Sequence, residues 1–219
     1  MPLPDRRTYL ADVVGELKKP WPGNRAVNIL CHGHSVPAGY FATPLVDALN
    51  AYPHLLYAAL KHRFPYAVVN VIVTAIGGEN SESGAKRFEA DVLCHRPDVV
   101  TIDYALNDRK LGLDGARRAW SAMVESALAR KAKVILLTPT ADMTQRPGAP
   151  ETERRPLQEH AAQARALAAE YGVGLADSLA AFEAHMKSGV LTDLMSWTNH
   201  PNRAGHELVA RELMRWFSY

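Results

Sequence analysis

The chain has 219 residues, enough for one α/β domain with a full core and no need of disulfide or metal staples. Hydrophobic residues make up 47% and charged residues 22%, an ordinary globular balance, and the net charge of +2 is spread without a basic block, so no nucleic-acid partner is expected. The two cysteines, Cys31 and Cys94, suit a reducing compartment. Residues 1–19 carry Asp5, Asp12 and Glu16 and lack the apolar core of a signal peptide. No run nears the ~18 apolar residues of a membrane span. A cytoplasmic protein that meets no membrane is therefore expected, and no oligomeric state follows from the sequence.

Residues 1–24 read as a lead-in packed on the domain, with a short amphipathic helix over Tyr9–Leu17 stopped by Lys19-Pro20-Trp21-Pro22-Gly23. From residue 25 to 219, strand and helix signals alternate as a single domain. Strands are expected at Ala26–Cys31, Ala67–Val73, Asp98–Ile102, Lys133–Leu137 and Val173–Leu175, mostly as the continuous apolar runs of a sheet covered on both faces. Helices are expected over Val46–His62 (with Pro53 marking a break or a new first turn), from an N-cap at Ser81 to Leu93, and over Asp114–Arg130, Arg154–Tyr171, Ser178–Lys187 and Asn202–Trp216. This alternation predicts a three-layer α/β/α sandwich around a five-stranded parallel sheet in the flavodoxin-like order 2-1-3-4-5. The ends of strands 1, 2 and 3 then lie side by side, where open α/β sheets bind their ligands.

Those ends carry Gly33-His34-Ser35, Gly77-Gly78-Glu79-Asn80-Ser81 and Ala105-Leu106-Asn107-Asp108. A hydroxyl beside amide donors is what acyl transfer needs, because charge develops on the carbonyl oxygen during attack. Asn199-His200-Pro201-Asn202, entering the last helix, offers a base for Ser35. Together with the later segment His200-Pro201-Asn202-Arg203-Ala204-Gly205-His206, these four blocks resemble, in order and spacing, those of the SGNH hydrolases, also called GDSL-type esterases and lipases. The resemblance implies Ser35 as nucleophile, His200 as base, and an oxyanion hole from the N–H groups of Ser35 and Gly78 with the Asn107 side chain. No cofactor or metal is implied.

Three residues depart from the pattern. His34 replaces an Asp, which is expected to alter loop support more than chemistry, and Ala105 replaces a Gly. The carboxylate three residues before the histidine is absent, since Trp197 stands there. Two repairs are open. The Trp197 backbone carbonyl accepts the Nδ1–H of His200, the preferred reading, or Asp193 loops back to the ring.

Other motifs have plainer readings. The His32/His34 pair lacks the further ligands of a metal site. His206 reads as helix packing, and Tyr40-Phe41 as a candidate acyl-pocket lining. The G-x-S-x-G elbow of other α/β hydrolases is broken by Pro37. The resulting expectation is an ester hydrolase working through an acyl-enzyme on a small-molecule ester, an acetylated carbohydrate first. The alternatives are a thioesterase or lysophospholipase, and a ligand-binding protein without turnover.

Overall fold

A computed structural model describes residues 3–218; the first two residues of the lead-in and Tyr219 lie outside the described residues. Five strands form one parallel sheet: β1 (Ala26–Gly33), β2 (Val68–Val73), β3 (Val99–Asp103), β4 (Lys133–Leu137) and β5 (Gly174–Ala176), in the order β2-β1-β3-β4-β5. The helices are α1 (Ala11–Leu17), α2 (Ser35–Ala38), α3 (Tyr52–Arg63), α4 (Ser81–Asp91), α5 (Leu113–Ala129), α6 (Glu151–Tyr171), α7 (Ser178–His185) and α8 (Arg203–Met214).

Side chains alternate across the sheet with the period of two that strand geometry imposes. Val27, Ile29 and Cys31 of β1, with Ile135 and Leu137 of β4, enter one core with Val13 and Leu17 of α1, Leu56 and Leu60 of α3 and Val209 and Leu213 of α8. Leu30 of β1, Val100 and Ile102 of β3, and Val134 and Leu136 of β4 enter the other, against Phe88 of α4 and Trp120 and Met123 of α5. Helix α6 straddles both, through Leu157 and Ala161 on one side and Ala164 and Leu167 on the other. Each of these large apolar side chains contributes about 1.5–3 kcal/mol by burial.

Local chemistry moves several expected boundaries. Helix α3 starts at Tyr52 rather than Val46, because Pro53 sits in its first turn, where a missing N–H costs nothing. Residues 39–50 instead form a folded loop, with a bridge between Tyr40 and Val46. The N-cap of α4 is Asn80, whose Oδ1 accepts from Ser83 N at 3.1 Å, and the Ser81 amide donates instead to Asp108. Strand β2 is an edge, so Val68, Asn70 and Val73 face solvent rather than a second helical layer. Helix α6 begins at Glu151, three residues before the expected Arg154.

Register sets up the site. Gly33, the last residue of β1, pairs with Asp103, the last of β3, and the hydrogen bonding continues through His34 N to Asp103 O at 3.2 Å. A Cβ on Gly33 would overlap the Asp103 carbonyl and the Pro37 ring, so only glycine permits this approach. On the other flank, Thr74 N donates to Cys31 O (3.1 Å) and Ile76 N to Gly33 O (3.0 Å), which carries the loop after β2 along the same edge. Among the described residues, no helix is long and apolar enough to cross a membrane.

Beneath that edge lies His206 of α8, fully buried, with Nδ1 accepting from Tyr52 N at 3.2 Å. Burial, aided by the nearby His200, pushes His206 down from 6.5 to about 3. Below pH 6.5 the unfolded chain therefore takes a proton that the folded chain refuses, so this contribution to stability is intact above 6.5 and drains away as pH falls toward 3. Urea unfolding at about pH 7 and about pH 4.5 is expected to show a smaller loss for His206→Asn than for the wild type. Equal losses would contradict this reading.

Candidate active site

Ser35 opens the four-residue helix α2, which Gly39 ends with a φ of 91°. Its side chain is nearly enclosed, and its Oγ lies 2.9 Å from Nε2 of His200. His200 arrives on a tight turn: the amides of Ser196 and Trp197 donate to its carbonyl (3.0 and 3.3 Å), and Met195 bridges Pro201. Asn202 then caps α8 by accepting from Gly205 N at 3.1 Å and donates from Nδ2 to Asp193 O at 2.8 Å. The imidazole therefore stands on backbone tied at both ends.

The other ring nitrogen, Nδ1, lies 2.8 Å from the backbone carbonyl of Phe41. A carbonyl only accepts, so Nδ1 carries the hydrogen and Nε2 presents a lone pair to the Ser35 hydroxyl. Phe41 is the residue that sequence reasoning missed in this role. Its amide is occupied by a turn with Leu45 O (3.0 Å) and its ring packs on His206 with centroids 5.1 Å apart, leaving the carbonyl free for His200. A backbone acceptor leaves no side-chain signature, and only the aromatic character of Tyr40-Phe41 marked the segment.

Both expected orienting groups are corrected. The Trp197 carbonyl is not the acceptor, because the Phe41 carbonyl holds Nδ1; Trp197 itself is 56% exposed, with its amide donating to the His200 carbonyl across the turn. Asp193 is also elsewhere, with Oδ2 accepting from Val190 N (3.0 Å) and facing His185 Nε2 (3.1 Å). Burial holds His200 below the ordinary histidine range, and the Phe41 carbonyl opposes that shift in part.

Across from the imidazole, the loop after β2 turns at Gly78, whose φ of 80° is in the left-handed region and whose Cβ position is open space. The Gly78 amide has no acceptor among the described residues. Asn107 Nδ2 donates one hydrogen to Glu79 O at 2.9 Å, which ties the loop after β3 to the loop after β2 and leaves its second hydrogen available. Ser35 N, first in its helix, is likewise unspent. Tyr40 closes one side: its ring lies against Gly77, where a Cβ would come within 2.8 Å of it, and 6.0 Å from the His200 ring.

The donor loop is anchored from below. The Glu79 carboxylate accepts from the Tyr104 hydroxyl (2.7 Å) and from Nε (2.8 Å) and Nη2 (2.5 Å) of Arg87. Tyr104 accepts in turn from His32 Nε2 (3.0 Å), and His32 Nδ1 meets the Thr74 hydroxyl at 2.9 Å. Burial raises the Glu79 carboxyl, but the Arg87 and Tyr104 bonds outweigh it and keep the group ionised. Burial and the Arg87 charge push His32 down to about 4, so it remains a neutral link. Asp108 completes the frame, accepting from Ser81 N (2.8 Å) and Trp120 Nε1 (2.7 Å). No group of three His, Cys, Asp or Glu among the described residues could hold a metal ion, and His32 is engaged in these contacts.

If Phe41 rather than a carboxylate orients His200, Asp193→Asn leaves kcat within about threefold of wild type in steady-state ester hydrolysis. A loss near the ~10⁴-fold seen when a triad carboxylate is neutralised would contradict it.

The fold has close relatives in shape. The acetylxylan esterase Axe2 from Geobacillus stearothermophilus superposes with a TM-score of 0.76 at 23% identity, over 88% of this chain and 94% of that one. LAE5, an alpha/beta hydrolase enzyme from the metagenome of Lake Arreo, Spain, superposes with a TM-score of 0.76 at 22% identity, over 87% and 94%. No curated protein matches the chain in sequence. Residues 31–208 match the model of the GDSL-like lipase/acylhydrolase family, a span that takes in every block described above. The chain belongs to that family.

Proposed function

We propose that this ester hydrolase works through an acyl-enzyme on Ser35 and removes small acyl groups, acetyl foremost, from a carbohydrate. The observation that carries the reading is the 2.9 Å contact between Ser35 Oγ and a His200 Nε2 whose tautomer is set by Phe41. Ser35 Oγ attacks the ester carbonyl as its proton passes to His200 Nε2. The new oxyanion is received by the amides of Ser35 and Gly78 and the spare hydrogen of Asn107. His200 then protonates the departing alcohol, and water repeats the sequence to free the acid.

Phe41 supplies orientation and a dipole but no charge, so the imidazolium formed in the transition state is less compensated than one beside a carboxylate. The preference for a small acyl group is supported by the Tyr40 ring against Gly77, which narrows the space beside the donor loop. A carbohydrate alcohol is supported by the fold likeness to a protein named as an acetylxylan esterase. A reducing compartment is supported by Cys31 and Cys94, which stand unpaired.

Treatment with a fluorophosphonate is expected to label Ser35 and to leave Ser35→Ala unlabelled. Absence of labelling together with absence of p-nitrophenyl acetate turnover would favour a binding protein, the reading to which the uncharged Phe41 carbonyl lends itself. Asn107→Ala is expected to lower kcat by about 10²–10³-fold, the usual cost of one oxyanion donor. The free-enzyme base must be neutral, so kcat/KM is expected to be intact at higher pH and to fall as pH drops through the value of His200, with its midpoint below 6.5. A midpoint above 6.5 would contradict the burial of His200 as its controlling influence.

A further inference from the structure

His34 does more than support a loop. Its Nδ1 accepts from Val36 N at 3.3 Å, capping α2, and the same Nδ1 lies 3.3 Å from Ser35 Oγ. On the far side of the ring, Nε2 is 3.5 Å from Oδ1 of Asp103. His34 and Asp103 are 1% and 3% exposed, so this carboxylate is enclosed. The sheet fixes the pairing, because Asp103 stands opposite Gly33 in register and its carbonyl holds the His34 amide.

The amide of Val36 decides the tautomer. It points at Nδ1, which is therefore bare, and Nε2 carries the hydrogen toward Asp103. Ser35 Oγ consequently lies between two imidazole lone pairs, Nε2 of His200 and Nδ1 of His34. The carboxylate absent behind His200 is present behind His34. His34 faces the Asp103 carboxylate, whereas His200 faces only a carbonyl dipole.

We propose that His34, backed by Asp103, is a second proton acceptor for Ser35, able to drive attack on a substrate whose leaving group departs without a proton. The inference rests on Ser35 being the nucleophile. The two acceptors differ once the proton has been taken. His34 is enclosed, so a proton it holds does not reach a leaving alcohol, and ester turnover, in which that alcohol must be protonated, runs through His200. Proton transfer to His34 releases the Val36 amide from Nδ1, and at 3.3 Å the bond given up is a long one.

A fluorophosphonate isolates the first step, because its fluoride leaves without needing a proton. The Ser35 Oγ–H bond breaks and its proton goes to the acceptor nitrogen. Oγ bonds to phosphorus, and the P–F bond breaks with its electron pair leaving on fluoride. Labelling rates are measured in His200→Ala, His200→Ala/His34→Asn and His200→Ala/Asp103→Asn, with thermal unfolding followed in each. Asparagine is a favoured N-cap and its Oδ1 still accepts the Val36 amide, so His34→Asn keeps the cap and removes the base.

The expected result is slow labelling of Ser35 in His200→Ala and a further loss of about tenfold or more in both double variants, less than the ~10²–10⁴-fold of a principal general base because His34 is the secondary acceptor. Double variants that unfold cooperatively and label within about twofold of His200→Ala would overturn the inference, as would His200→Ala that does not label at all. A wild type that does not label would instead sink the serine-nucleophile reading on which it rests. Should His34→Asn fail to fold, the Asp103→Asn arm decides alone, since it removes the charge and leaves the ring in place.

Discussion

Everything at this site depends on one imidazole held between two oxygens. His200 spans from the Phe41 carbonyl at 2.8 Å to the Ser35 hydroxyl at 2.9 Å, and the first of these contacts ends on main chain. The carbonyl belongs to a loop closed by the Tyr40–Val46 bridge, and the imidazole to a turn closed by its own carbonyl. The orientation usually assigned to a carboxylate is thus obtained from main-chain geometry. What that substitution forgoes is a carboxylate, and an enclosed one lies instead behind His34, on Asp103.

The same economy holds on the oxyanion side. Gly78 and Asn107 are placed by a chain of bonds that begins at Thr74 and runs through His32, Tyr104, Glu79 and Arg87. Glu79 and Arg87 at its outer end are charged, and His32 and Tyr104 within it are neutral, which suits a path from the half-buried rim into the core. Burial disfavours a cationic His32 and the Arg87 charge adds to that, which depresses its value. Rigid support beneath a donor loop matters because oxyanion donors act only if already in place when charge develops.

The strands and their order were legible because a sheet covered on both faces imposes apolar runs, and βαβ connections leave few topologies. Ser35, Gly78, Asn107 and His200 were legible as motif residues at strand and helix ends, and the fold brings their segments to one edge. What was hidden is what side chains do not encode. The Phe41 carbonyl has no residue-type signal, and the loop over 39–50 is shaped by contacts with α8 and by Pro53 rather than by any local period. Ser81 resembled a cap more than Asn80 did until the Asp108 carboxylate claimed its amide. His34 looked like a substituted loop residue, because its relation to Asp103 exists only once β1 and β3 are paired.

The tautomer of His200 is the most direct test of backbone orientation at this site. Nitrogen-15 NMR of the imidazole at a pH above its titration is predicted to show Nδ1 protonated and Nε2 bare, with the Nδ1 proton in slow exchange because it is buried against Phe41. A protonated Nε2, or a ring averaging between tautomers, would mean that the Phe41 carbonyl does not orient the base, and would contradict the central claim.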